Sequence, residues 1–230
     1  MSIAIAWQSD PMSSDRPGRA GSAYLVRPDN ATGTGPGVLV LHSWWGLTPE
    51  VKQRCDDLAD AGFVALAPDL CAGVLPETAA EAEFELGESD PNETAALVLS
   101  SIIALRSQTD APEGPIAIVG FSMGASWALW AATRQPDSVS AVVAYYGTQN
   151  IDFELLSARV LGHFADDDDI VGDDEVVEMQ SHLLLLDKPV EFHRYAGCRH
   201  FFAEQTPAAT HDPAAAALSW DRTVAFLSAR

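Results

Sequence analysis

A serine set between two glycines, Gly120-Phe121-Ser122-Met123-Gly124, is the stretch of this 230-residue chain whose residue types and spacing best suit covalent chemistry. It follows the apolar run Ile116-Ala117-Ile118-Val119 and precedes residues 125–133, which read as a helix. A serine on a sharp strand–turn–helix corner is held out as a nucleophile for acyl transfer. The glycines belong to that chemistry. The corner forces strained backbone geometry on the serine, and a Cβ on either flanking glycine position would collide with the turn.

A serine hydroxyl is a weak nucleophile until a base takes its proton, and a third group must orient that base. On folds that use such a corner the chain order is serine, acid, histidine, which directs attention to residues beyond Ser122. Of the six histidines, His42 precedes the serine, His163 and His193 lie within strand-like runs, His182 is mid-helix and His211 adjoins Asp212 near a helix start. His200 differs. It follows the Tyr195-Ala196-Gly197 turn, on a loop at the C-terminal end of a strand, where catalytic groups of open α/β sheets collect. The acid is one of Asp166, Asp167, Asp168 and Asp169, just after another strand. That run lacks the alternating oxygens, glycine turn and closing glutamate of a calcium loop, so no metal is expected. Cys198, two residues before His200, follows no such corner and reads as an inert thiol.

The elements that must position these groups follow in chain order. Residues 2–6 and 21–27 read as a strand pair at a sheet edge, joined by a polar connection over 9–18. Val38-Leu39-Val40-Leu41 is apolar throughout, as a parallel strand covered on both faces should be, and ends in His42-Ser43-Trp44-Trp45-Gly46. Thr48-Pro49-Glu50 opens a helix with Val51, Cys55, Leu58 and Ala59 on one face, and residues 63–67 form the next strand. Residues 71–90 carry no regular pattern and five glutamates, Glu77, Glu81, Glu83, Glu85 and Glu88. A helix starts at Pro91, strands cover 139–145, 159–165 and 189–195, and helices cover 173–185 and 213–228. The last helix should bury Ala217, Trp220, Val224 and Leu227. Trp127 and Trp130, three apart on the helix after Ser122, are expected to pack in the core. One doubly wound α/β domain over residues 1–230 is the reading, with a mostly parallel sheet and no large lid.

Composition narrows the partners. A formal charge of −20 with only two lysines, Lys52 and Lys188, argues against nucleic acid and anionic membrane surfaces. No apolar run reaches the roughly 18 residues of a membrane span, and the N-terminus does not read as a secretion signal, so a cytoplasmic protein is expected. Three cysteines without ligand-like spacing read as free thiols, and nothing suggests a cofactor. No interaction helix stands out, so a monomer is expected.

Together these residues resemble the dienelactone hydrolase (carboxymethylenebutenolidase-like) family of α/β-hydrolases, over roughly residues 37–226. Four blocks carry the resemblance: His42-Ser43-Trp44-Trp45-Gly46-Leu47, Ala67-Pro68-Asp69-Leu70, Gly120-Phe121-Ser122-Met123-Gly124, and residues 195–202. The family's acid block is matched from His163-Phe164-Ala165 to Asp168 and Val171, which selects Asp168 among the four aspartates. The resemblance implies a Ser122–Asp168–His200 triad, an oxyanion hole from the backbone N–H groups of Met123 and Trp44, and an acyl-enzyme route for small esters or lactones. Ser43, Trp45, Phe201, Phe202 and Glu204 are then candidates for the substrate pocket. Three departures stand out. The usual nucleophilic cysteine is Ser122, the usual glutamate of the first block is Ser43, and an arginine four residues after the histidine is Glu204. With Glu204 and the glutamates of 77–88 near the mouth, an anionic lactone should be repelled, and neutral esters or lactones fit better than dienelactone. A silent α/β-hydrolase-fold binding protein and a true dienelactone hydrolase are the alternatives.

Overall fold

The computed structural model describes residues 3–4, 22–30 and 32–229. Strands are β1 (Ile3–Ala4), β2 (Ala23–Val26), β3 (Gly37–Leu41), β4 (Val64–Pro68), β5 (Ile116–Phe121), β6 (Val139–Tyr145), β7 (Arg159–Ala165) and β8 (Val190–Tyr195). Helices are α1 (Pro49–Asp60), α2 (Ala79–Glu88), α3 (Pro91–Arg106), α4 (Met123–Arg134), α5 (Asp173–Leu185) and α6 (Pro213–Ser228). The strands form one sheet in the order β1-β2-β4-β3-β5-β6-β7-β8. β1 and β2 are antiparallel at one edge and everything from β4 to β8 is parallel. The expected edge pair is therefore present in its described part, while residues 2, 5, 6 and 21 and the 9–18 connection lie outside the described residues.

Strand pleating sorts the core into two layers. Leu39 and Leu41 of β3 join α3, α4 and α5 on one face, through residues such as Ile102, Leu129 and Leu183. Val38 and Val40 point the other way, toward Val51, Cys55 and Leu58 of α1 and Leu227 of α6. All five residues of β3 are buried, which is why its sequence is apolar without alternation. From β3 the chain winds first to β4 on one side, then returns to β5 on the other. The loops after β3 and β5 thus diverge at the point where the winding reverses, where open α/β sheets make their ligand crevice.

Two elements differ from the sequence expectation. Residues 79–88 are a helix, α2, capped by Thr78, whose hydroxyl accepts the Glu81 N–H. Its only buried residue is Ala82, so it shows almost no apolar stripe in the sequence. The buried face of α6 is Ala216, Ser219, Thr223 and Leu227, one residue out of step with the expected face over most of its length, and Ala217 is exposed. The reason is that two hydroxyls are buried with partners: Ser219 donates to the Ala216 carbonyl (3.0 Å), and Thr223 pairs with the Tyr145 hydroxyl (2.7 Å).

Candidate active site

Ser122 stands between β5 and α4 with φ 50° and ψ −115°, a conformation L residues seldom adopt. The flanking glycines make the turn possible. A Cβ on Gly120 would strike the Gly124 carbonyl, and one on Gly124 the carbonyl oxygen of Leu41 in β3. The hydroxyl so presented lies 2.8 Å from His200 Nε2. On the far side of the ring, Nδ1 lies 2.9 and 2.8 Å from the two carboxylate oxygens of Asp168. Asp168 is itself fixed, because one of its oxygens accepts the N–H groups of Ile170 and Val171, both at 2.9 Å. Burial works against its charge, but the His200 hydrogen bond and charge, with those two N–H groups, hold the carboxyl below the usual range. His200 is 1% exposed, so this contact is shielded from water.

The other aspartates of the run point elsewhere. Asp166 and Asp167 are exposed, and Asp169 pairs with Arg199 at 2.6 Å. The remaining histidines have other tasks or stand apart. His42 is buried; its Nε2 accepts the Leu70 N–H (2.9 Å), which leaves Nδ1 to donate to the Ser43 carbonyl (2.6 Å). It ties the loop after β3 to the loop after β4. His163 is buried between Tyr195 and Thr223 (2.8 and 3.1 Å), and burial, followed by the charges of His193 and Arg222, lowers its pKa to about 3. Cys198 is also buried, and burial raises its thiol pKa, the direction that makes a cysteine unreactive. Among the described residues no cluster of three or more His, Cys, Asp or Glu side chains is arranged to hold a metal ion.

Trp44 and Met123 follow β3 and β5 at the winding reversal, and neither backbone N–H has an acceptor among the described residues. Both also wall a cavity of about 430 Å³, together with Leu70, Cys71, Glu85 and Trp127. The expected pocket residues do not line it. Ser43 and Phe202 are fully buried, Trp45 and Phe201 are 4% exposed, and Glu204 is 7% exposed. Phe201 stacks on Trp44 and meets His200 edge-on (ring centroids 5.7 and 4.3 Å), so it braces the site from behind. Glu204 turns inward to Ser43 and Tyr146 instead of facing the mouth. Trp127 and Trp130 pack against the core as expected, and Trp127, half-buried, also walls the cavity.

Sequence reasoning missed Tyr146 altogether. It directly follows β6 with φ 37°, its ring centroid is 5.0 Å from that of His200, and its hydroxyl reaches Glu204. Its place just past a parallel strand was the available signal.

The dienelactone hydrolase family model matches residues 22–230. This chain belongs to the dienelactone hydrolase family. It is 30% identical over 201 residues to Protein usf of Aquifex pyrophilus, covering 84% of this chain and 87% of the relative. It is 26% identical over 234 residues to the carboxymethylenebutenolidase of Rhodococcus opacus, covering 91% and 87%. A crystal structure from Klebsiella pneumoniae superposes over 100% of both chains with a TM-score of 0.80 at 25% identity. The α/β-hydrolase fold and membership of a hydrolase family are thus established. No helix of the described residues is long and apolar enough to cross a membrane.

Proposed function

We propose that this member of the family hydrolyses small, uncharged carboxylic esters or lactones through an acyl-Ser122 intermediate. The observation that carries this reading is the continuous chain Ser122 Oγ–His200–Asp168, with both links at 2.8 Å. In the acylation step His200 Nε2 takes the hydroxyl proton as Oγ bonds to the substrate carbonyl carbon. The backbone N–H groups of Trp44 and Met123 receive the resulting oxyanion, each worth roughly 10²–10³ in rate. Collapse expels the alcohol, which leaves with the proton from His200. Water then gives a proton to the same nitrogen and attacks the acyl carbon, and Ser122 is released with the carboxylic acid. Asp168 holds the ring in the productive tautomer and stabilises its charged form.

Substrate class follows from the cavity wall. Among the described residues its only charged side chain is Glu85, beside Trp44, Trp127 and Leu70. An apolar or neutral acyl or alcohol group fits such a wall, whereas a carboxylate meets a like charge. The lactone activity named for the Rhodococcus relative is for that reason second to neutral esters.

The test is turnover of p-nitrophenyl acetate and butyrate, with fluorophosphonate labelling of the active serine. Ser122→Ala should lose both the label and at least about 10³-fold in kcat. Wild-type turnover in Ser122→Ala would overturn the mechanism.

A further inference from the structure

Glu204 is a carboxylate sealed in the interior, one turn beyond His200, and the hydrolytic mechanism leaves it without a task. It is 7% exposed, and its two oxygens accept hydrogen bonds from two hydroxyls on different segments: Ser43 Oγ at 2.7 Å and the Tyr146 hydroxyl at 2.8 Å. Both donors are fully buried. Ser43 precedes Trp44 in the loop after β3, and its Oγ lies 3.4 Å from the Trp45 N–H, which donates to it. Tyr146 packs its ring against His200.

The carboxylate is aimed from behind by α1. Arg54 donates to the carbonyl of Ala203 (3.2 Å), and Glu50 accepts the N–H of Gln205 (2.6 Å), so the residues on both sides of Glu204 are pinned to one helix. Two of the three departures from the family pattern, Ser43 and Glu204, are thus in direct contact. A carboxyl group is still present between these segments, but it is supplied by the loop after β8 and not by the loop after β3.

We propose that the Glu204 carboxylate is a positioning residue for the oxyanion side of the site, holding Ser43, and through it the Trp44 N–H, in register with Ser122. This rests on the esterase reading above. The ionised form is the one that works. A carboxylate accepts from both hydroxyls, whereas a carboxylic acid carries a proton on one oxygen and must reverse the hydrogen bond to one of them. The groups that face it are Ser43 from the loop after β3, Glu50 and Arg54 from α1, and Tyr146 beyond β6. Burial raises the carboxyl pKa, the two hydroxyls lower it, Glu50 raises it and Arg54 lowers it, with a balance at about 7. The clamp therefore engages as the pH rises through neutrality.

The test measures kcat and KM for p-nitrophenyl acetate from pH 5.5 to 8.5 in wild type, Glu204→Gln, Ser43→Ala and the double variant. At pH 8.5 kcat of Glu204→Gln should be about tenfold low, a fraction of the effect of losing a whole oxyanion donor. KM should move less than threefold. The ratio of wild type to variant should shrink toward one at pH 5.5, where the wild-type carboxyl is itself protonated; taking the ratio cancels pH effects common to both enzymes. Ser43→Ala should reproduce the loss, and the double variant should be no worse than either single one. A ratio constant with pH, or a wild-type kcat in Ser43→Ala, would overturn the proposal. Ser43→Ala removes only a hydroxyl, so it decides the matter if Glu204→Gln does not fold. Failure of the esterase reading is distinguishable, because Ser122→Ala would then retain turnover.

Discussion

The proposed mechanism puts the hydroxyl of Ser122 where the family resemblance implies a thiol, and that difference changes what its neighbours must supply. A thiol can be deprotonated in advance, but a serine must lose its proton during attack, so the quality of the His200–Asp168 contact sets the rate. The sharpest prediction at this scale separates Asp168 from Asp167. Asp168→Asn should lower kcat/KM by about 10²–10⁴, because an amide leaves the imidazole in the wrong tautomer. Asp167 is exposed, so Asp167→Asn should stay within about threefold; the reverse order would reassign the acid. Glu204 gives a second prediction, on stability. Its carboxyl rises from 4.5 in the open chain to about 7 in the fold, so the native state binds the extra proton between those values. Its stability contribution is therefore complete below pH ~4.5 and is lost as pH climbs through ~7, on the order of 3 kcal/mol in all. Melting curves at pH 5 and 8 should show wild type losing ground to Glu204→Gln at the higher pH. An equal difference at both would mean that the buried carboxyl is not what titrates. If the clamp works as inferred, the same ionisation that aids turnover weakens the fold.

The elements that carry the proposed nucleophile, acid and base were legible for a simple reason. β3, β5, β6 and β7 are buried at every position except Ala117, Ser140 and Arg159, so their sequences are dominated by apolar residues. Ser122 and Asp168 lie just past such a strand, whereas His200 follows β8, of which only Tyr195 is buried. What escaped is held by contacts that leave no periodic trace. α2 buries only Ala82, and its Glu-rich surface reads as loop. α6 buries Ser219 and Thr223, whose partnered hydroxyls look exposed on any hydrophobic scale. Glu204 looked like a surface charge because nothing in one sequence announces Ser43 and Tyr146 as its partners. The proposed preference for neutral substrates rests on α2, which supplies Glu85 to the cavity wall. Glu85→Arg should raise kcat/KM for a p-nitrophenyl ester bearing a free carboxylate at least threefold relative to p-nitrophenyl butyrate, since it reverses the only charge among the described residues of the cavity wall. Glu83→Arg makes the same change in net charge at an exposed position outside that wall. An equal gain in both variants would show that overall charge, and not Glu85, selects the substrate.

Over the whole molecule the net charge of −20 acts on both stability and encounter. Thirty-three acidic residues face thirteen basic ones, and no Lys or Arg occurs between Arg54 and Arg106, the stretch that includes α2 and most of α3. The stretch that supplies Leu70, Cys71, Glu85 and Thr94 to the cavity wall thus carries acidic residues with no Lys or Arg of its own. Self-repulsion of this kind is strongest where the chain is compact, so it opposes folding, and salt should relieve it. The screening length falls from about 30 Å at 0.01 M to about 8 Å at 0.15 M, less than the spacing of most surface charges. The melting temperature should therefore rise by several degrees between 0.01 and 0.2 M KCl, where ~1 kcal/mol corresponds to about 2–4 °C at this size, and change little above that. Chloride is the right anion for the measurement, because sulfate stabilises any fold by exclusion from its surface. Over the same range kcat/KM for the carboxylate-bearing ester should rise relative to the neutral one, as the acidic approach to the cavity is screened. A melting temperature that climbs steadily toward 1 M would point to solvent exclusion instead. A salt-independent ratio of the two esters would place the carboxylate's disadvantage inside the cavity, at Glu85, and not in the field of the molecule.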